Sequence, residues 1–202
     1  MGAAGGPLGD VRIVGGSLRG RRLRVPDRGV RPTSDRTRES IFDILGPGAV
    51  VGASVLDLFA GTGALGIEAL SRGAKSADFL EGSRVVARRI EENLESLGLA
   101  DRARVREADL SRAILPPELT GPWRLVFLDP PYDGDAGPRW VESLVGSGGL
   151  GENCVLVYER RKGTSAPLPS GLMLATDRTY GETSVAFYRS AGARPSVRRG
   201  GP

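Results

Sequence analysis

From Val55 onward, short apolar runs alternate with longer stretches in which apolar residues return every three or four positions. The runs occupy residues 55–59, 77–81, 103–107, 125–129 and 155–159. Each is short, and all but the third are rich in Val, Leu or Phe, the pattern of buried strands, while the segments between them have room for crossover helices. That rhythm predicts a parallel sheet covered by helices. The clearest crossover carries Val86, Ile90, Leu94 and Leu97 on one face, with Glu91, Glu92 and Glu95 on the others. The pattern changes near the end: residues 172–175 and 183–189 flank Tyr180-Gly181, which predicts an antiparallel pair joined by a turn.

Ahead of Val55 the chain reads differently. Residues 11–14 and 18–25 surround Gly15-Gly16 and predict a short hairpin whose arginines face water. Thr33-Ser34-Asp35 then predicts a helix cap, with Glu39 reaching back and Ile41, Phe42, Ile44 and Leu45 forming the apolar face. Gly46-Pro47-Gly48 is the one plausible boundary. The expected division is a flexible start over 1–10, a basic hairpin-and-helix extension over 11–48, the main domain over 49–190 and a flexible basic tail over 191–202.

Composition narrows the chemistry. A chain of 202 residues, 40% hydrophobic and 26% charged, is that of a globular domain. No run approaches the roughly 18 apolar residues that span a bilayer, and the first residues lack a leader pattern, so a cytoplasmic location without membrane contact is expected. The chain has no histidine, which removes the commonest general base and metal ligand together. Cys154 is the single cysteine, so disulfides and cysteine-rich zinc sites are excluded; a buried strand thiol is expected, and no metal. Charge is uneven: residues 1–40 hold nine arginines against four acids, while the remainder is close to neutral.

Two segments carry chemistry. The first, residues 57–66, is a strand running into a glycine-rich turn that opens a helix. A small nucleoside ligand can approach such a turn closely, at the carboxyl edge of a sheet. Asp57, Phe59, Ala60, Gly61, Thr62 and Gly63 are the candidate contacts. Glu81, followed by Gly82, ends the next run, where a carboxylate can accept from both hydroxyls of a ribose. Asp109 stands after the third run and could accept an adenine amino group or simply cap a helix. Nicotinamide enzymes share this geometry, but an acid at Asp57 repels a pyrophosphate and attracts the cationic end of S-adenosylmethionine. The methyl donor is therefore the expected cofactor.

The second segment, Asp129-Pro130-Pro131-Tyr132, ends a buried run with a rigid turn. An exocyclic base amine is a poor nucleophile because its lone pair is delocalised into the ring. Acceptors on its hydrogens, here Asp129 and the Pro130 carbonyl, draw it towards tetrahedral geometry, while Tyr132 stacks on an extruded base. The arginines Arg12, Arg19, Arg21, Arg22, Arg24 and Arg31 suit phosphate contacts. All of this requires the tip at Asp129 to lie beside the glycine turn.

These segments, with Arg12-Ile13-Val14-Gly15-Gly16, residues 31–39 and residues 56–73, resemble the RsmD family of bacterial small-subunit ribosomal RNA guanine-N2 methyltransferases. The resemblance implies an α/β Rossmann-like class I methyltransferase: a seven-stranded, mostly parallel sheet with an antiparallel last strand and a small N-terminal hairpin and helix. It implies methylation of guanine 966 of 16S ribosomal RNA within a small-subunit particle; the sequence is silent on oligomeric state, and a monomer is the expectation adopted. It also implies that Thr33 and Arg36 touch the donor or the flipped base. Tyr132 stands where relatives often carry phenylalanine, and Ser83 where an acid often follows the ribose-binding glutamate. The alternatives are methylation of DNA adenine or another base amine, a non-catalytic RNA-binding assembly factor, and a nicotinamide oxidoreductase.

Overall fold

The computed structural model describes residues 11–25, 33–132 and 135–190. The expected flexible ends, and Arg31 among the candidate arginines, lie outside them. The parallel rhythm in the sequence becomes a seven-stranded sheet. Its strands are β3 (Ser54–Leu58), β4 (Ser76–Glu81), β5 (Ala103–Glu107), β6 (Trp123–Leu128), β7 (Leu150–Arg161), β8 (Leu172–Tyr180) and β9 (Thr183–Ser190), in the order β5-β4-β3-β6-β7-β9-β8. Every neighbour pair from β5 to β7 is parallel, whereas β9 runs antiparallel to both β7 and β8. This is the Rossmann-like arrangement expected of the chain. The strand order reverses at β3 and β6, and open sheets of this kind place ligands outside the carboxyl ends of the strands at that reversal.

Helices cover both faces because the strands are apolar on both. On one face lie α1 (Asp35–Val50), α2 (Ala64–Ser71) and α3 (Arg84–Ser96), where Phe42, Ile67, Leu70, Ile90 and Leu94 pack with Val55, Phe79 and Phe127. On the other, α4 (Ala136–Gly146) brings Trp140, Val141 and Leu144 against Leu56, Leu58, Val126 and Leu156. The Trp140 indole is fully buried and donates to the Leu110 carbonyl at 2.8 Å, so its polar edge is satisfied where its apolar body is needed. Cys154 is buried in β7, as expected, and burial pushes its thiol up to about 12.

The hairpin strands are shorter than the sequence suggested. β1 (Val11–Arg12) pairs with β2 (Arg22–Leu23), and the connection spans residues 13–21 rather than turning on Gly15-Gly16. The reason is tertiary. The connection is pressed against the end of α2, where a Cβ on Gly16 would stand 2.0 Å from the Ser71 carbonyl oxygen. Ser17 N–H donates to that carbonyl, Leu18 N–H to the Ser71 hydroxyl, and Val14 N–H to the buried Glu68 carboxylate at 2.8 Å. Asn93 of α3 pairs with both the N–H and the carbonyl of Arg24. Val11, Ile13 and Leu23 share the core beneath α1 and α2, so the hairpin has no core of its own.

Helix α1 also differs in detail. Ser34 caps it by accepting from Thr37 N–H, which leaves the exposed Glu39 two residues beyond the position a reciprocal cap requires. Ile41, Phe42 and Leu45 are buried, but Ile44 is 39% exposed. The expected boundary at Gly46-Pro47 is a kink inside the helix, with Gly46 at φ 64°, where a proline cannot continue the regular ladder.

Candidate active site

Strands β3 and β6 are hydrogen-bonded neighbours, in register from Val55 with Leu125 to Leu58 with Leu128. Asp129 N–H continues the ladder to the Leu58 carbonyl at 3.4 Å. The glycine turn after β3 and the Asp-Pro-Pro-Tyr tip after β6 therefore leave the sheet side by side, the arrangement the chemistry requires.

The turn is built under strain. Phe59 leaves β3 at φ 57°, unusual for a residue with a side chain, and Gly61 and Gly63 follow at φ 54° and 75°. Phe59 is held edge-on to Trp140, with ring centroids 6.2 Å apart. Ala60 N–H donates to Leu80 and Gly63 N–H to Ala60, folding the turn back towards β4. Thr62 is buried at 3% exposure, while Gly82 is exposed at the head of the next loop. Glu81, the last residue of β4, clasps both loops: its Oε2 accepts from Gly61 N–H and its Oε1 from Ser83 N–H, each at 2.9 Å. Gly66 lies so close to the sheet that a Cβ would stand 2.3 Å from the Phe79 ring.

Asp57 is only 2% exposed, and its Oδ2 accepts from Gly66 N–H at 2.8 Å. Burial raises its carboxyl to about 8; the Gly66 N–H opposes that shift and nearby Glu81 adds to it. Its first task is thus to tie β3 to the first turn of α2, and near neutral pH it holds its proton. The fixed negative charge imagined for it in the sequence is not available from Asp57 alone.

Acids are nonetheless concentrated here. Phe127 and Val157 are in register with each other on the face that Asp57 shares, so Asp129 and Glu159, two residues further along β6 and β7, emerge side by side on that same face. Glu159 is 6% exposed and accepts from the Thr33 hydroxyl and from the Tyr132 hydroxyl, both at 3.3 Å. Tyr132 also bonds the Thr183 hydroxyl at 2.6 Å, which fixes the far end of an otherwise 38% exposed ring. Burial holds the Asp129 carboxyl well above the usual range, Glu159 and Asp57 push it further, and the Thr33 hydroxyl works against them.

Known proteins share this arrangement of sequence and fold. The family model described as Conserved hypothetical protein 95 matches residues 11–189. The chain belongs to that family. Ribosomal RNA small subunit methyltransferase D of Escherichia coli K12 is 37% identical over 183 residues, which cover 90% of either chain. The solved structure of the Escherichia coli protein yhhF superposes with a TM-score of 0.80 at 36% identity, covering 92% of this chain and all of that one. An RNA methyltransferase from Salinibacter ruber, solved with S-adenosyl-L-homocysteine, shares the fold at a TM-score of 0.62 and 15% identity, covering 82% of this chain and 97% of its own. The resemblance read from the motifs therefore extends over nearly the whole family segment.

Other candidates in this family member are placed unevenly. Thr33 joins the acid cluster, whereas Arg36 is exposed on the first turn of α1. Asp109 is fully exposed and accepts from the N–H and hydroxyl of Ser111, which hold its carboxyl below the usual range and cap the short 3-10 turn Leu110–Arg112. Arg12, Arg19, Arg21, Arg22 and Arg24 are all exposed, but they do not share one edge. Arg12 lies 3.7 Å from Asp35, near Thr33, while Arg21 donates to the Ser96 carbonyl at the far end of α3. A cavity of about 390 Å³ between the hairpin and α1, lined by Phe42, Asp43, Pro47 and Arg72, contains none of the candidate residues.

Glu159 and Thr183 were missed in the sequence because each looks like an ordinary strand residue. A signal was present: Glu159 ends an apolar run, as Glu81 and Asp129 end theirs. Arg38 was missed as well. It is 1% exposed and donates to the carbonyls of Thr33 and Arg12 and to Asp35, at 2.6, 2.7 and 2.6 Å. Arg38 thereby joins the hairpin and the Thr33 segment to α1.

Proposed function

We propose that the chain is an S-adenosylmethionine-dependent ribosomal RNA methyltransferase acting on the N2 amine of guanine 966 in 16S RNA, within a small-subunit particle. The observation that carries this reading is the side-by-side exit of the glycine turn and the Asp-Pro-Pro-Tyr tip at the strand-order reversal. The 37% identity to a named small-subunit ribosomal RNA methyltransferase supports the substrate class.

The residues present suit the donor. Asp129 faces Glu159 and Asp57, and Glu81 in turn bears on Asp57. A cationic ligand would relieve that crowding, whereas a dinucleotide pyrophosphate would add to it. Glu81 stands where it can exchange its bonds to Gly61 and Ser83 for ribose hydroxyls, and Asp109 can receive an adenine amino group. When bound, the donor supplies an electrophilic methyl group on positively charged sulfur.

The protein's share of the work is positioning. Asp129 and the Pro130 carbonyl accept the two hydrogens of the exocyclic amine, and Pro131 keeps the turn rigid. Tyr132, anchored through its hydroxyl, offers its ring to the extruded guanine, with Thr33 and Arg36 bordering the base. The exposed arginines hold phosphates, with Arg12 near the base and Arg19, Arg21 and Arg22 further along the strand.

Labelled methyl transfer to naked 16S RNA, protein-free DNA and small-subunit particles, followed by nucleoside analysis, tests the reading. The expected product is N2-methylguanosine, formed best in particles. Methyladenine in DNA, or donor binding with no transfer to any substrate, would replace this reading with one of its rivals.

A further inference from the structure

Asp129, just beyond the end of β6, and Glu159, within the adjacent parallel strand β7, stand at the same level and on the same face, two residues past the Phe127–Val157 pair. Two carboxyls so placed cannot both carry full charge without strong repulsion, and such pairs settle the matter by retaining one proton. The groups around them are arranged unequally. Glu159 receives the Thr33 hydroxyl on Oε2 and the Tyr132 hydroxyl on Oε1, and Tyr132 is itself tied to Thr183. Asp129 follows the last residue of β6 and immediately precedes the Pro-Pro turn, faces Glu159, Asp57, Tyr132 and the Thr33 hydroxyl, and is the acid nearest the tip. Thr33 thus donates to Glu159 and lies close enough to favour ionised Asp129 as well, and Glu159 is the better anchored of the two.

We propose that Glu159 is a positioning residue for Asp129: it shares one proton with Asp129 across the strand edge, so that Asp129 can accept the proton leaving the substrate nitrogen. The inference rests on the methyltransferase reading above. As the nitrogen–carbon bond forms, the sulfur–carbon bond breaks and its electron pair stays on sulfur. The nitrogen then carries the positive charge and sheds it by passing one hydrogen, as a proton, to the Asp129 carboxylate. The hydroxyls on Glu159 favour its ionised form, so in the ligand-free protein the shared proton rests on Asp129; the hydrogens of the bound amine favour ionised Asp129 and move that proton to Glu159, whose carboxyl keeps Tyr132 in place throughout. Glu159 touches neither reactant.

Two substitutions separate this role from a merely structural one because they act in opposite directions. Glu159→Gln keeps one acceptor oxygen for the hydroxyls around it and removes the charge facing Asp129. The acidic limb of the pH profile of kcat/KM should move down by about one pH unit or more. Thr33→Val removes the hydroxyl that favours ionised Asp129, so the same limb should move up. Carbon-13 carboxyl titration of the ligand-free protein reads the same shifts without turnover. Asp129 should titrate above the ordinary carboxylate range in the wild type, lower in Glu159→Gln and higher in Thr33→Val.

Titrations and pH limbs that coincide in all three proteins, while the wild type methylates RNA, would overturn the role of Glu159 and leave the function standing. A wild type that binds the donor but methylates no nucleic acid would overturn both. A misfolded Glu159→Gln leaves Thr33→Val, at a partly exposed position, to decide by the direction of its shift.

Discussion

The helix side of this molecule and the carboxyl edge of its sheet both bury charged groups, but they treat them in opposite ways. Beneath the hairpin, Glu68 receives Val14 N–H and the Arg72 guanidinium, and Arg38 spends its donors on two carbonyls and Asp35. On the other face Asp78 receives the Trp123 indole and Arg104. At the carboxyl edge, acids meet acids: burial raises Asp57 and Asp129, Glu81 adds to the shift of the first, and Glu159 and Asp57 add to that of the second. A buried charge with a complementary partner secures architecture, whereas crowded acids are held partly protonated, a state that a cationic ligand can relieve. Backbone strain at Phe59 falls on the same edge.

The largest expected effect breaks the second arrangement. Asp129→Ala should lower methyl transfer by about a thousandfold, the range of a lost proton acceptor, while thermal stability holds or rises because a crowded acid is gone. Single-turnover transfer and thermal unfolding on the same preparation check both halves. Breaking the first arrangement should do the reverse. Arg38→Met leaves the carbonyls of Thr33 and Arg12 short of a donor and should destabilise the fold by about 3 kcal/mol in urea unfolding. Donor affinity, measured by calorimetry at a temperature where the variant is folded, should fall far less.

Asp57 sharpens the contrast through pH. Its carboxyl rises from 3.8 to about 8 in the folded chain, so the folded state binds the extra proton between those values. Stability contributed by the protonated group is complete below pH 4 and is lost as pH climbs through 8. Asp57→Asn retains an oxygen for Gly66 N–H and cannot ionise, so this contribution to the decline, on the order of 1 kcal/mol per pH unit, should flatten. Denaturant midpoints from pH 5 to 9 provide the measurement. The smallest effect is expected at the surface. Replacing Arg19, Arg21 and Arg22 by Gln should change stability by no more than about 0.5 kcal/mol. The logarithmic salt slope of RNA binding should shrink by about 0.7 to 0.9 for each phosphate that is no longer neutralised, and an unchanged slope would return these arginines to an ordinary solvated face.

Much of the fold was legible because burial leaves a periodic trace. All seven sheet strands were marked by apolar runs, and the antiparallel closure by Tyr180-Gly181, where the tight turn leaves β8 through Gly181 at φ 58°. The glycine turn, Glu81 and Asp129-Pro130-Pro131-Tyr132 were legible because each is a local departure from that periodicity with a chemical meaning. Glu39 and Ile44 misled because a cap depends on which residue starts the helix, and an apolar face on what lies opposite it.

The amino-acid sequence by itself determined the strands, the crossovers and the residue types gathered at strand ends, since these follow from side-chain period and backbone preference within a few residues. Only the tertiary structure decided that Asp57 would bond Gly66, that Glu159 would stand beside Asp129, and that Thr33 would cross from the hairpin segment to join them. Those outcomes depend on strand order and register, which bring together residues up to 126 positions apart. No local pattern records a neighbour that the chain meets only after the sheet has closed around it.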